Sequence, residues 1–387
     1  MRLRLRLSIV LIFGVLPLVT LGSSISSPAV TIMRTEATID EYDANEIPTP
    51  QNVLTPLLEN PDQGIQIIFS DVDGTLVHYV DNQQLTTDIL QLPPSSTGTQ
   101  GIISSKTLVL CQQLRQQCQR KLVLISGMRT STLWNRIPFL PRADAYCSEA
   151  GRIFYPVSDL EGYYGPVFVP HSYTGCHEAD MQPFGLIEDI EWRTIMEQTC
   201  GCHGFVGMEL LDASQLPPLP LHDRQGLLWE FARTLMAKGV VIDEKGYSTC
   251  FRINHKQQTN REAFDIALQH IPRTLATSVN LGCIDVYPKE SGKKNCCLFL
   301  AKKLCKSNDE FILATSALCL CDDDNDLEMA LVCQHAYVPS IGSESMAQAI
   351  KNYPREFTLT QGMDGVRNET SATERALELV LERISMT

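Results

Sequence analysis

The chain alternates short uncharged runs with amphipathic stretches. From residue 64, "IQIIFSD" is a continuous apolar run that predicts a buried strand, and "SSKTLVLCQQLRQQCQR" sets Leu108, Cys111, Leu114 or Arg115 and Cys118 at helical spacing. "KLVLISG" is the next buried strand. Strand, helix, strand is the unit of a parallel sheet. The rhythm returns late in the chain, with "CCLFLAKKLC" as helix, "ALCLCDD" as strand, "DLEMALVC" as helix, "HAYVPSI" as strand and "SESMAQAIK" as helix. "ATERALELVLERI" closes the chain with an amphipathic helix.

Between about 156 and 280 the texture changes: Pro, Gly and His become more frequent, "RQGLLWEFARTLMAKG" has helical spacing, and "YSTCFRIN" and "LATSVNLGCIDVY" have strand character. The expectation is an α/β fold, a Rossmann-like parallel-sheet core with helices on both faces and an inserted α+β cap domain. The core takes residues 63–155 and 281–387, and the cap takes 156–280. A length of 387 residues is enough for two cores.

The first 62 residues are set apart from this fold. Arg2, Arg4 and Arg6 precede "LSIVLIFGVLPLVTLG", with small residues following, the pattern of a secretory signal peptide over residues 1–24. Gly14, Pro17 and Thr20 break the apolar run and leave it short of a comfortable membrane span, so no stable span after cleavage is expected. Residues 25–62 carry Pro28, Pro48, Pro50 and Pro61 and have the composition of a polar linker. The signal implies entry into the secretory route, with the product secreted, lumenal or imported into an organelle.

The fourteen cysteines begin only at Cys111 and sit largely inside apolar runs, which fits buried thiols better than a disulfide scaffold. A net charge of −13, with no cluster of Lys and Arg outside the extreme N-terminus, argues against a nucleic-acid partner. His171, Cys176, His177, Cys200, Cys202 and His203 form a loose His and Cys group, but the spacing lacks a paired Cys-x-x-Cys and favours loop residues and core thiols over zinc.

Four signals fall at or just after the carboxyl ends of expected parallel strands, where open α/β sheets place their ligands. They are "DVDGT" at 71 to 75, "SG" at 126 and 127, Lys293 in "PKESGKKN", and "DDDND" at 322 to 326. Together these motifs resemble the haloacid dehalogenase superfamily of phosphatases, in the branch with a large inserted α/β cap that includes sucrose-phosphate phosphatase-like and Cof-type sugar phosphatases. The resemblance covers about residues 64 to 380. In "CDDDND", Cys321, Asp323 and Asp324 replace small residues of the family pattern; "ISGMR" differs from the usual Thr-Gly-Arg, and "IGSES" stands where Gly-Asn-Ala is common.

The resemblance implies a role for each motif residue. Asp71 is the nucleophile, forming an aspartyl-phosphate, and Asp73 is the general acid and base. Gly74 permits the turn, and Thr75 holds Asp73 and counts among the substrate-binding residues. Ser126 and the Gly127 amide bind phosphoryl oxygens, Arg129 lies beside them as a substrate-binding residue, and Lys293 supplies fixed positive charge, with Lys289 and Lys294 as alternatives. Asp71, Asp322 and a phosphate dianion brought within about 4 Å repel by about 4 kcal/mol per pair at an effective dielectric near 20, more than one lysine offsets. A divalent cation, Mg²⁺ by the oxygen-rich donor set, is implied, held by Asp71, Asp73 through its carbonyl and Asp322, with Asp326 either a direct ligand or a support behind the others. The implied activity is hydrolysis of a small sugar phosphate. A phosphomannomutase-type phosphotransferase and a catalytically silent sensing domain are the alternatives.

Overall fold

The computed structural model describes residues 64–79, 88–94, 98–201, 219–258, 261–280, 282–305 and 312–386. The expected signal peptide and linker, together with Cys202 and His203, lie outside them.

Strands β1 (Ile67–Ser70), β2 (Ile89–Gln91), β3 (Ile102–Ser104), β4 (Lys121–Ile125), β5 (Ala145–Ser148), β6 (Arg152–Val157) and β7 (Gly185–Glu188) occupy the first half. β8 (Phe251–Asn254), β9 (Leu275–Asn280), β10 (Cys283–Pro288), β11 (Ala317–Leu320), β12 (His335–Val338) and β13 (Phe357–Leu359) follow. The main sheet runs β13-β12-β11-β1-β4-β5-β6-β7. It is parallel from β13 to β5, and β6 pairs antiparallel with both neighbours.

Alternation along the strands builds two cores. Ile68, Leu122, Leu124, Leu318 and Leu320 face the helices Ser105–Gln116 and Glu369–Met386, while Ile67, Phe69, Val123, Ile125 and Cys319 face the helix Lys293–Leu304. The expected spacing in Ser105–Gln116 buries Leu108, Cys111 and Leu114. The C-terminal helix buries Ala376, Leu377, Val380 and Ile384, and the Asn368 carboxamide caps its start. The described cysteines are free thiols, and Cys147, Cys296, Cys297, Cys319 and Cys321 are buried in these layers. Among the described residues no helix is long and apolar enough to cross a membrane.

The inserted unit differs from its expected limits of 156 and 280. β7 belongs to the main sheet, and the helix Ile190–Cys200 puts Trp192 and Met196 into the main core. Phe168 packs edge-on against Trp134, and Phe184 stacks on Tyr146, both of the same domain. The Pro- and Gly-rich stretch after β6 is therefore an excursion of the main domain. The second unit is the sheet β8-β10-β9 with the helices Leu227–Ala237 and Arg261–Gln269, around a core of Trp229, Phe251, Ile253 and Val286. "LATSVNLGCIDVY" is a hairpin, because Gly282 at φ 71° supplies the turn between β9 and β10.

His78, just past β1, fastens the C-terminal helix to the sheet. The Thr373 hydroxyl donates to the Thr75 carbonyl at 2.5 Å, so His78 Nε2, 2.8 Å from that hydroxyl oxygen, is the donor. Burial pushes the imidazole down to about 4, although Glu369 lies 3.6 Å from Nδ1. Unfolded, His78 takes up a proton near 6.5, so between these values the unfolded chain binds more protons and stability falls as the pH falls. The His78 contribution is expected to be level above pH 7 and to fall by up to about 3 kcal/mol by pH 4, read as the difference between the denaturant stabilities of wild type and His78→Gln across that range.

Candidate active site

Strand register brings the site together. Ser70 pairs with Leu320 on one side and Leu124 on the other, so Asp71 emerges level with Cys321 and Ile125, one residue before Asp322 and Ser126 respectively. Because neighbouring strands lie about 4.8 Å apart, three segments distant in sequence end in one crevice. β1 is the switch point of the parallel sheet, where such crevices open.

Asp71, Asp322 and Asp326 are all buried, and each offers an oxygen within 4.8 Å of the others. Lys293, the first residue of its helix, reaches across them, with Nζ 2.6 Å from both Asp71 Oδ1 and Asp326 Oδ1. Lys294 instead meets Glu328 at 3.4 Å, so Lys293 is the site lysine. Burial, with Asp326 and Asp73 adding to it, raises the Asp71 carboxyl to about 7 against the pull of Lys293. Burial and the neighbouring Asp71 and Asp326 push Asp322 well above the usual carboxylate range. Burial disfavours the Lys293 ammonium, but Asp326 and Asp71 outweigh it and the net shift is upward.

Asp326 is held on every side. Its Oδ2 accepts from the amides of Asp322 and Asp323 at 3.2 and 3.3 Å, within a capping box that Asp323 completes around the turn Asp324–Asp326. The unusual carboxylate at 323 is thus a cap that aims Asp326 at Lys293. "IGSES" also has a place here: the Gly342 amide donates to the Asp322 carbonyl at 2.7 Å.

One expected contact differs. The Thr75 hydroxyl donates to Asp322 Oδ1 at 2.9 Å rather than holding Asp73, because the turn at Gly74, φ 88°, swings Thr75 toward β11. Thr75 is fully buried, so it shapes the cluster without facing a substrate. The Asp73 side chain stays apart from the three clustered carboxylates, accepting from Arg136 Nη1 at 2.6 Å and from the Tyr79 hydroxyl. Arg136 and Tyr79 did not stand out in the sequence.

Gly74 is confined by Asp322. A Cβ at residue 74 would overlap the Asp322 carboxylate outright, and the positive φ adds strain. Gly74→Ala is expected to displace Asp322, lowering turnover by about 10²-fold or more and stability by about 1–2 kcal/mol. Steady-state rates together with thermal melts check both parts.

A cavity of about 470 Å³ opens above the cluster, lined by Asp71, Asp73, Ser126, Gly127 and Arg129 below and by the second unit above. Ser126 is buried and its hydroxyl accepts from the Met128 amide at 3.1 Å. Gly127 lies against the second unit so closely that a Cβ there would come 2.6 Å from Asn280 Nδ2. Arg129 bridges the two units: it pairs with Asp243, donates to the Lys245 carbonyl at 2.7 Å and lies over the Tyr247 ring. Arg252 grips Asp285 with two hydrogen bonds, at 2.6 and 2.8 Å. Charge in the upper cavity therefore cancels in pairs, leaving Asn254, Gln257, Asn280 and Tyr247 as neutral polar lining.

Among the described residues, three members of the loose His and Cys group have structural partners. His171 stacks on Phe139 at 5.0 Å, His177 Nδ1 accepts from the Ala179 amide, and Cys200 is buried against Trp229.

No family model and no curated protein matches the sequence. Among solved structures the chain is similar to phosphatases of the haloacid dehalogenase superfamily. The sucrose-phosphatase of Synechocystis, solved with sucrose and phosphate, shares 11% identity over 83% of this chain and 98% of that one, with a TM-score of 0.46. A haloacid dehalogenase-like hydrolase from Bacillus subtilis shares 13% over 84% and 98%, at 0.41. The trehalose-6-phosphate phosphatase of Aspergillus fumigatus shares 12% over 83% and 93%, at 0.36.

Proposed function

We propose that the protein is a Mg²⁺-dependent phosphomonoesterase that hydrolyses a small phosphorylated sugar through an aspartyl-phosphate on Asp71. The observation that carries this is the convergence of Asp71, Asp322, Asp326 and Lys293 in one buried cluster beneath a polar cavity.

The donor set fits a hard divalent cation. Three buried carboxylates face one ammonium, an excess of two negative charges, and all the donors are oxygen. Asp326 is fully engaged by Lys293 and two amides, which leaves Asp71 and Asp322 as the side chains to hold the ion, with the Asp73 carbonyl beside them. Bound there, Mg²⁺ supplies the positive charge that lets a phosphate dianion approach two carboxylates.

The chain's own residues supply the rest. Asp71 Oδ attacks phosphorus, the bond to the sugar oxygen breaks, and Asp73 gives that oxygen a proton. Water then attacks the aspartyl-phosphate, Asp73 takes its proton, and inorganic phosphate leaves with Asp71 restored. Lys293 holds Asp71 in line, while Ser126 and the Gly127 amide lie where phosphoryl oxygens are received. The paired charges and amide groups of the upper cavity suit a neutral, hydroxyl-rich leaving group better than a second anion.

The test is a panel of phosphorylated sugars offered to the purified protein with and without Mg²⁺, followed by inorganic phosphate and by the sugar products. Mg²⁺-dependent phosphate release supports hydrolysis. Isomerised sugar phosphate with no phosphate release assigns a phosphotransferase instead, and no turnover of any ester removes the proposal.

A further inference from the structure

Arg136 closes the helix Thr130–Arg136 that follows the Ser126-Gly127 turn, and it is 1% exposed. A guanidinium buried this deeply needs a partner with compensating charge. Its ion-pair partner is Asp73, and its Nε and Nη2 have no hydrogen-bond partner at all. Nη1 is the engaged nitrogen: it donates to Asp73 Oδ1 at 2.6 Å and to the Tyr79 hydroxyl oxygen at 2.9 Å. The Tyr79 hydroxyl in turn donates to the same Oδ1. Arg136, Tyr79 and Asp73 thus form a closed ring of hydrogen bonds on one oxygen of one carboxylate. Both Arg136 and Tyr79 line the cavity, Tyr79 from the segment after β1 and Arg136 from the helix after β4.

We infer that Arg136 and Tyr79 are positioning residues for Asp73, fixing its Oδ1 so that Oδ2 alone is presented to the leaving oxygen and then to the attacking water. This rests on the hydrolase proposed above and deepens it. A carboxylate on a free side chain samples several rotamers, whereas proton transfer requires the reacting oxygen within about 3 Å of its partner. Two donors on Oδ1, from segments on either side of β1 and β4, set both the rotamer and the rotation of the carboxylate plane. Arg136 Nε and Nη2 are buried, its Nη1 is taken by Asp73 and Tyr79, and Lys293, Ser126 and the Gly127 amide are the groups assigned to the phosphoryl end. The effect of Arg136 is transmitted through Asp73.

The leaving group exposes this role. An alkyl phosphate such as a sugar ester needs Asp73 twice, first to protonate the alkoxide and then to deprotonate water. An aryl phosphate such as p-nitrophenyl phosphate departs as a stabilised phenolate and needs Asp73 only for the second step. The experiment compares wild type with Arg136→Gln, Arg136→Lys and Tyr79→Phe, following phenolate release in the first turnover and steady-state phosphate release from both esters, with thermal melts to establish folding.

In Arg136→Gln, the sugar phosphate is expected to lose on the order of 10²-fold in kcat with KM within about threefold, because acid–base assistance is lost and binding is not. The aryl ester keeps a burst of about one phenolate per site at the wild-type rate, followed by a slow steady state. Arg136→Lys restores part of the loss, and Tyr79→Phe shows the same pattern at smaller size. Equal loss of burst and steady state in a folded Arg136→Gln overturns the inference in favour of a structural residue. A rise in KM alone overturns it in favour of a substrate contact. A wild type that releases phosphate from neither ester removes the hydrolase itself and this role with it, so the two failures are distinct.

Discussion

Asp71→Asn is expected to give a folded protein whose phosphate release is slower by at least about 10⁴-fold on every ester the wild type accepts. An amide oxygen is too weak a nucleophile to attack phosphorus, and no other described carboxylate is placed to replace Asp71. Asp322 is tied to Thr75 through Oδ1, and Asp326 is engaged by Lys293 and two amides. The change is nearly isosteric and leaves an oxygen for Lys293 at the position of Oδ1. It also removes a carboxylate whose burial already opposes its charge, raising it to about 7. The melting temperature is therefore expected to stay level or rise, separating loss of chemistry from loss of fold. Wild-type turnover by a folded Asp71→Asn protein would falsify the nucleophile assignment.

How much of this was legible in the sequence depends on which force placed each residue. β1, β4 and β11 announced themselves because strands covered on both faces must be apolar throughout, so the first polar residue after each run marks the edge of the crevice. Asp71, Ser126 and Asp322 are those residues or their immediate neighbours. Lys293 was legible by its place at the start of a helix, although its position between Asp71 and Asp326 was not.

What escaped was set by tertiary contacts that leave no local period. Arg136 follows Leu133 and Trp134 on a helix face that packs into the core, and in sequence it is one more basic residue at a helix end. Its partner Asp73 is 63 positions away. Thr75 stood close enough to Asp73 to suggest a contact, and only the positive φ of Gly74 turns it to Asp322. The boundary at β7 escaped for the opposite reason: its four residues carry too little pattern to reveal which sheet they join. Only the antiparallel register with β6 attaches them to the main sheet.

Lys293→Met should be the most destabilising single change in the site, about 3–5 kcal/mol at pH 7.5 in magnesium-free buffer. Methionine keeps most of the volume, so little of the cost is cavity; the loss is electrostatic. Without the ammonium, Asp71, Asp322 and Asp326 have no cation within the cluster, and burial leaves water no means of solvating them. The pH dependence follows from the same cause. Removing the lysine raises the folded-state affinity of Asp71 and Asp322 for protons, since Lys293 opposes the upward shift of both, while the unfolded chain still releases them near 4. Between these limits the folded state binds more protons, so the variant regains stability as the pH falls from 7.5 to 5.5. The wild type changes less over this range, because the gain from Asp71, raised to about 7, is opposed by His78 and His335, both pushed down to about 4 by burial. Denaturant melts of both proteins at the two pH values are therefore expected to converge at the acid end. A constant gap between them would show that Lys293 contributes packing rather than charge, and the cluster of buried carboxylates would then need a different source of compensation.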